Sequence, residues 1–179
     1  MKTRRIATLG AAFMFACGIA STAMAQDDDD APAITARVHG TFVDKAGGAG
    51  VLSGDMSIVR FEVQNGTVTA IGRIVGALAD STGKVLGRVN EELALPVRDA
   101  ESTCNQLRMQ LAATDADVLG TRVHFDRETA GFDSREGATP RALGVLCAAG
   151  ETLRKNRGAS NQVQALNDVA IAIKAKRSR

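Results

Sequence analysis

The feature that most constrains the fold of this chain is a hairpin signal between two alternating runs. Apolar residues occupy every second position from Val59 to Val63 and again from Val68 to Leu78, and Asn65-Gly66 lies between the runs. A period of two is typical of a strand with one buried face. Asn and Gly both tolerate the positive φ angles of a tight hairpin turn. The segment is therefore predicted to be two antiparallel strands.

Further strands are predicted on both sides of this hairpin. Apolar and polar residues alternate from 34 to 42, which indicates one strand. After a turn at 80–83, the run 85–97 adds a third strand to the hairpin, so that the three form a meander. Alternation over 107–111 and 118–127 predicts a second hairpin. Residues 129–138 are rich in Gly, Ser and charge, so we expect a loop there.

One glutamate does not fit this strand pattern. Glu91 falls on the apolar parity of the run 85–97, where the neighbouring positions of the same face are Val89 and Leu93. A β-bulge shifts the parity of a strand by one residue. We interpret the misfit as a bulge near Glu91-Glu92.

The hydrophobic period changes towards the end of the chain. Thr139-Pro140 is an N-cap followed by proline at the first helical position, and Gly150 is a natural stop for this helix. Ser160 is expected to cap a second helix with an apolar stripe from Val163 to Ile173. The predicted fold class is α+β, with a β-rich antiparallel sheet or barrel-like meander of five to six strands covered by two C-terminal helices.

The N-terminus has the organisation of a secretory signal peptide. Three basic residues precede an apolar run from Ile6 to Ala20, and Ala23-Met24-Ala25 forms a small-x-small cleavage site. The run is short for a membrane span, although an uncleaved anchor is the alternative. We predict a signal peptide at 1–25, an acidic disordered leader at 26–32, a β-rich domain with one covering helix at 33–157, and an amphipathic helix with a basic tail at 158–179. The mature chain is then exported, periplasmic or extracellular, with no transmembrane segment.

Composition excludes several classes of function. Loss of residues 1–25 removes Lys2, Arg4 and Arg5, so the formal net charge changes from +2 to −1. A near-neutral chain is not a generally basic nucleic-acid binder. The sequence has no Trp and no Tyr, and this absence weighs against sugar-processing clefts and against stacking on single-stranded nucleic acid.

Two cysteines remain after the signal peptide, because Cys17 is removed with it. Cys104 and Cys147 can form one intramolecular disulfide in an oxidising compartment. Closing a loop of about 44 residues would stabilise the fold by roughly 4 kcal/mol on the chain-entropy model. A reactive thiol or a zinc site is the alternative, but neither cysteine has a neighbouring histidine or cysteine.

The best candidate for a polar binding surface combines the outward residues of the second predicted hairpin. Its members are Gln106, Arg108, Gln110, Arg122, His124 and Asp126. His124 and Asp126 share one strand face, so they can hydrogen-bond or join His39 in a metal-dependent or hydrolytic site. A solvated polar face is the favoured interpretation. We therefore assign no catalytic residue, no metal and no cofactor.

Several short motifs follow one another between Gly54 and Gly150. They include Arg60-Phe61, Asn65-Gly66, Leu95-Pro96-Val97, His124-Phe125-Asp126 and Leu143-Gly144-Val145-Leu146-Cys147. This order resembles a group of uncharacterised exported bacterial proteins, the hypothetical secreted proteins that share a C-terminal Leu-Cys-Ala-like helix. The resemblance implies no biochemical role and mainly supports the paired cysteines. The chain departs from the pattern at 112–117 and after Phe125, where it is more polar and more charged.

The sequence favours an exported, non-enzymatic binding or envelope-associated module, with an unknown protein or a small apolar ligand as partner. One alternative is a carrier of an apolar ligand or lipid, with an internal cavity of several hundred Å³ lined by residues such as Val68, Ile74 and Leu146. The other alternative is an enzyme that uses His39, His124 and Asp126. The oligomeric state does not follow from the sequence.

Overall fold

The computed structural model of the protein describes residues 34–136, 138–155 and 158–175. The predicted signal peptide, the acidic leader and the last four residues of the basic tail lie outside the described residues. No helix in the described ranges is long and apolar enough to cross a membrane.

Eight antiparallel strands form one sheet, and two helices follow them in the chain. The strands are β1 (Ile34–Val43), β2 (Ala49–Gln64), β3 (Thr67–Ala79), β4 (Val85–Ser102), β5 (Gln106–Leu111), β6 (Thr114–Val118), β7 (Thr121–Phe125) and β8 (Glu128–Asp133). The helices are α1 (Pro140–Arg154) and α2 (Ala159–Lys174). The predicted α+β class with two C-terminal helices is confirmed.

The sheet closes on itself through β1. One edge of β1 pairs with β2 along its whole length. The other edge pairs with β8 near Thr35 and with β7 near Thr41, so β7 and β8 lie end to end along the same side of β1. A ring of six strands results, in the order β1-β2-β3-β4-β5-β8, and β6 extends it as an outer strand on β7. Within the described residues no ladder joins β6 to β4, although the two strands approach each other.

The core fills the inside of this closed sheet. In β1 alternate residues point inward, because Ile34 and every second residue after it are buried while the residues between them are exposed. In β3 all five residues from Val68 to Gly72 are buried. The largest fully buried side chains include Phe61, Phe125, Ile74 and Leu95, and Leu146 of α1 and Leu166 of α2 join the same cluster. The two helices therefore cover one end of a single continuous core.

Specific polar contacts fix the helices to the sheet. Asn167 of α2 binds both backbone groups of Phe61, because its Oδ1 accepts from the amide N–H at 2.7 Å and its Nδ2 donates to the carbonyl oxygen at 2.9 Å. Phe61 lies beyond Ile58, which is the last β2 residue paired with β1, so Asn167 takes the place of a neighbouring strand there. The Cys104–Cys147 disulfide ties the β4–β5 loop to α1, as predicted.

The structure corrects the prediction for the C-terminal half of the sheet. The sheet has more strands than the five to six expected, because Glu128–Asp133 is β8 rather than part of a loop. β5 pairs with β4 and β8, whereas the second hairpin joins β6 to β7. Local composition favoured a loop over 129–138, but pairing with β5 and β1 on both sides makes the segment a strand.

The helix boundaries also differ from the prediction. Gly150 lies inside α1 instead of ending it, at the point where the helix approaches β4 most closely, and a Cβ atom there would meet the carbonyl oxygen of Ser102. The helix α2 begins after Gly158, and no side chain caps it, so Ser160 is not the N-cap. Thr139 does cap α1, since its Oγ1 accepts from the amide N–H of Ala142 at 3.2 Å.

Glu91 points into the core rather than lying in a bulge. The register between β3 and β4 is continuous across this region and places Glu91 opposite Ile74, a fully buried residue. Shifts of register occur elsewhere, beside Leu78 and beside Val97. The Glu91 Oε1 atom is buried and has no hydrogen-bond partner among the described residues. Alternation alone therefore gave the correct side-chain direction, and the bulge interpretation was wrong.

Candidate functional site

The end of the closed sheet opposite the helices, called the rim here, is formed by the β1–β2, β3–β4 and β6–β7 turns. The first two turns have the same construction, because Asp44 and Asp80 each begin a turn whose fourth residue is a glycine with positive φ. The Asp44 carboxylate also accepts from the backbone N–H and the hydroxyl of Ser81, at 3.0 and 2.6 Å. These bonds to Ser81, together with amide bonds inside the turn, lower the pKa of Asp44 to about 2. The two turns therefore hold each other in place.

A cleft of about 640 Å³ opens at the rim. We call it the mouth cleft, and its large apolar side chains are Phe42, Val43, Leu78, Leu86 and Leu119. Three of these side chains are strongly exposed, with relative accessibilities of 77% for Val43, 54% for Leu86 and 51% for Leu119. Fully burying such a side chain stabilises a protein by about 1.5–3 kcal/mol, so an exposed cluster is a candidate for contact with a ligand or partner.

A second cleft of about 760 Å³ adjoins the first, and we call it the polar cleft because Asp115, Arg122 and His124 line it. This polar cleft shares Phe42, Val43, Gly120 and Thr121 with the mouth cleft, so the two are continuous. Its polar lining consists of Thr41, Asp115, Arg122 and His124.

Three polar residues form a row across adjacent strands in the polar cleft. Thr41 of β1 is the direct cross-strand partner of His124, and His124 is the direct partner of Asp115 of β6. The His124 Nδ1 atom lies 2.7 Å from Asp115 Oδ1, and Arg122 Nη2 lies 3.0 Å from Asp115 Oδ2. The bonds to His124 and Arg122 lower the pKa of Asp115, so this carboxylate is ionised at neutral pH. One carboxylate thus orients both an imidazole and a guanidinium.

The β6–β7 turn has a conformation that leucine rarely adopts. Leu119 has φ 52° and Gly120 has φ 73°, in the two-residue turn between Val118 and Thr121. The β2–β3 turn has nearly the same angles, 51° and 76°, at Asn65 and Gly66. Asn is suited to this left-handed region, whereas a residue without that adaptation costs about 1–2 kcal/mol there. The β6–β7 turn at the rim therefore has a strained leucine, whereas the equivalent β2–β3 turn has asparagine, which is suited to the conformation.

The second histidine is held in the same way outside the polar cleft. His39 Nδ1 lies 2.9 Å from Glu128 Oε1, which also accepts from the His39 backbone N–H at 3.1 Å. His39 and His124 point outward from the adjacent strands β1 and β7, two positions apart in the register. Each imidazole has its own carboxylate, and Asp126 is the hydrogen-bond partner of neither. Among the described residues no group of three or more His, Cys, Asp or Glu side chains could hold a metal ion.

The predicted polar face is divided between two parts of the sheet. Gln106, Arg108 and Gln110 lie on β5, beside β4 and β8, whereas Arg122 and His124 lie on β7, beside β1 and β6. No ladder joins β5 to β7 within the described ranges. Sequence reasoning identified His124 and Arg122 but missed their contact with Asp115, because the β6–β7 pairing was not predicted. It also missed Leu119, because Leu-Gly is not among the dipeptides that favour a tight hairpin turn.

The residues proposed to line an internal cavity belong to the packed core. Ile74 and Leu146 are fully buried and Val68 is nearly so, and all three lie in the one core cluster. Val68 also borders a small surface cavity of about 350 Å³ beside α2, and another of about 580 Å³ lies next to the disulfide. A carrier function would therefore depend on the clefts at the rim rather than on these three side chains.

Comparison of the chain with protein-family models, with curated proteins and with solved structures found no match.

Proposed function

We propose that this chain is an exported, non-enzymatic binding module whose ligand occupies the rim. Two features support export: the signal-like N-terminus of the sequence and the Cys104–Cys147 disulfide, which is typical of an oxidising compartment. A binding role is supported by the contrast between the two ends of the closed sheet. Helices cover one end, while the other end has two continuous open clefts.

The single observation that carries the proposal is the exposed apolar lining of the mouth cleft. Val43, Leu86 and Leu119 come from three different turns or strand ends and line the same cleft. Sites for small ligands are concave and mostly apolar, with a few polar groups that fix orientation. The adjoining polar cleft supplies such groups in Arg122 and His124.

The proposal is tested by isolating the mature chain from its native compartment and identifying any bound molecule by native mass spectrometry. A double variant, Val43→Ser with Leu86→Ser, is expected to lose the co-purifying mass. Val75→Ser is the matched control, because Val75 is also strongly exposed, at 58%, but lies on β3 outside both clefts. Retention of the ligand by the double variant, or its equal loss from both, would place the binding site elsewhere.

A second candidate function is hydrolysis in the polar cleft, favoured by the row Thr41, His124 and Asp115. With its proton on Nδ1 and donated to Asp115, His124 leaves Nε2 free to accept a proton from water or from the Thr41 hydroxyl. The test is the rate of p-nitrophenyl ester hydrolysis by the wild-type chain and by His124→Gln. A wild-type rate equal to buffer, or a variant as active as the wild type, would reject this candidate.

A further inference from the structure

We propose that the rim binds a single-chain amphiphile with an anionic head group, and that Leu119 holds its chain in the mouth cleft. This inference rests on the proposed function and specifies the class of ligand. Three independent features support it: the residue at the tip of the β6–β7 turn, the shape of the two clefts, and the distribution of charge between them.

The choice of residue at the turn tip is the first feature. Leu119 and Asn65 occupy equivalent positions in two turns with matching φ angles, followed in each case by glycine. Asn relieves the strain of this conformation, and Leu does not. Strain of this kind is retained at sites where it serves function. The Leu119 side chain extends across the rim towards β4, where its Cδ1 atom lies 3.1 Å from the position that a Cβ on Gly87 would occupy. Leu119 thus forms one wall of the mouth cleft.

The shape of the two clefts is the second feature. The mouth cleft, at about 640 Å³, is within the size range of sites for small ligands and is lined by aliphatic and aromatic side chains from β1, β3 and β4. It continues past Gly120 and Thr121 into the polar cleft. A cleft with a cluster of exposed large apolar side chains, joined to one that holds Arg122 and His124, fits a molecule with one apolar chain and one polar end.

Charge places the head group in the polar cleft. Arg122 is paired through one nitrogen with Asp115, and its side chain is 81% exposed, so its other N–H groups face solvent. His124 shares the same carboxylate. Asp115 occupies only one nitrogen of Arg122, so the remaining N–H groups of this guanidinium can bind an anion through charge-assisted hydrogen bonds.

The mouth cleft has more acidic than basic side chains, whereas Asp115 and Arg122 balance each other in the polar cleft. Asp44 and Asp80 both line it, against Lys45 alone, and their carboxylates are already hydrogen-bonded within the rim turns. These two fixed negative charges disfavour an anionic head group in the mouth cleft. They therefore orient the ligand with its chain inward and its head beside Arg122.

Binding is measured by fluorescence of 11-(dansylamino)undecanoic acid on addition of the mature wild-type chain. Competitors with one chain length and different heads are added below their critical micelle concentrations: dodecanoate, dodecyl phosphate, dodecyltrimethylammonium and dodecyl maltoside. We expect both anions to displace the probe at least fivefold more effectively than the cation. Comparison of the displacement by dodecanoate with that by dodecyl phosphate shows whether the site prefers a carboxylate or a phosphate head group. Equal or stronger displacement by the cation overturns the assigned head group.

Two reciprocal variants test the role of Leu119. Leu119→Asn is expected to weaken probe binding by about tenfold, because it removes an apolar wall, while the turn becomes more stable. Asn65→Leu is the matched control and places the same strain in the equivalent turn, far from the clefts in the fold. It should lower the melting temperature and leave probe affinity unchanged. Probe affinity within twofold of wild type for Leu119→Asn overturns the inference about this residue.

The head-group site is tested by Arg122→Gln, which keeps a polar side chain and removes the charge. We expect a roughly fivefold weaker displacement by dodecanoate and an unchanged displacement by dodecyl maltoside. Equal effects on both competitors contradict the assigned orientation. If the wild-type chain binds none of these amphiphiles, the amphiphile inference fails, whereas a different molecule co-purifying with the chain would leave the proposed binding function intact.

Discussion

Replacement of Glu91 by methionine is expected to stabilise the protein. The Glu91 side chain points into the core opposite Ile74, and its buried Oε1 has no hydrogen-bond partner. An unpaired buried polar group costs about 1–3 kcal/mol, and methionine has a similar length without that cost. Glu91→Met should therefore raise the free energy of unfolding by about 1–3 kcal/mol. At about 2–4 °C per kcal/mol for a domain of this size, the melting temperature should rise by roughly 2–12 °C.

The assay is urea unfolding followed by far-ultraviolet circular dichroism at pH 7, with thermal melts in parallel. Glu92→Met is the matched control on the next position of β4. Glu92 points outward and receives two hydrogen bonds from Arg60, at 2.9 and 3.0 Å. Loss of this exposed pair should cost no more than about 1 kcal/mol. If Glu91→Met leaves stability unchanged or lowers it, the carboxylate has a stabilising partner in the folded protein and the reasoning is refuted.

Three further predictions concern the disulfide, the α2 contact and the rim. Mass spectrometry of the protein, purified without reductant, should show a gain of two hydrogens on reduction, and Cys104→Ala with Cys147→Ala should cost up to about 4 kcal/mol; two free thiols would contradict both statements. Asn167→Ala should cost about 1–3 kcal/mol in urea unfolding, because two backbone groups of β2 lose their partner, and an unchanged midpoint would show that water replaces them fully. The lowered pKa of Asp44 contributes stability that is present above about pH 4 and is lost as the pH falls towards 2. The urea midpoint of Asp44→Asn should therefore fall less than that of the wild type between pH 4 and pH 2. Parallel curves of midpoint against pH would exclude this contribution.

The N-terminal half of the sheet could be predicted from the sequence because its signals are local. Asn65-Gly66 lies between two alternating runs, and the observed turn has the positive φ angles that these residues favour. The alternation of β1 corresponds residue by residue to its burial pattern. In such strands one face packs on the core and the other meets solvent, so the pattern itself identifies the buried residues.

The C-terminal half could not be predicted in the same way because its strands depend on distant partners. The segment Glu128–Asp133 contains only two buried apolar residues, Ala130 and Phe132, and its strand conformation comes from β5 and β1. The partner of His124 was missed for a related reason. Asp115 lies on a short strand with a second aspartate, a composition that disfavours strands, so the pairing that brings the two side chains together was not expected.

The closure of the sheet through β1 has a consequence for the order in which the chain can fold. Thr35 pairs with Gly131, roughly a hundred residues later, so the first strand cannot complete its edge until nearly all of the sheet has left the ribosome. Until then β1 can only form its ladder with β2, and its other edge stays open to wrong partners. Such a chain gains by keeping β1 unpaired on that edge until β8 is available. Its first strand begins the sheet, and its last strand completes it.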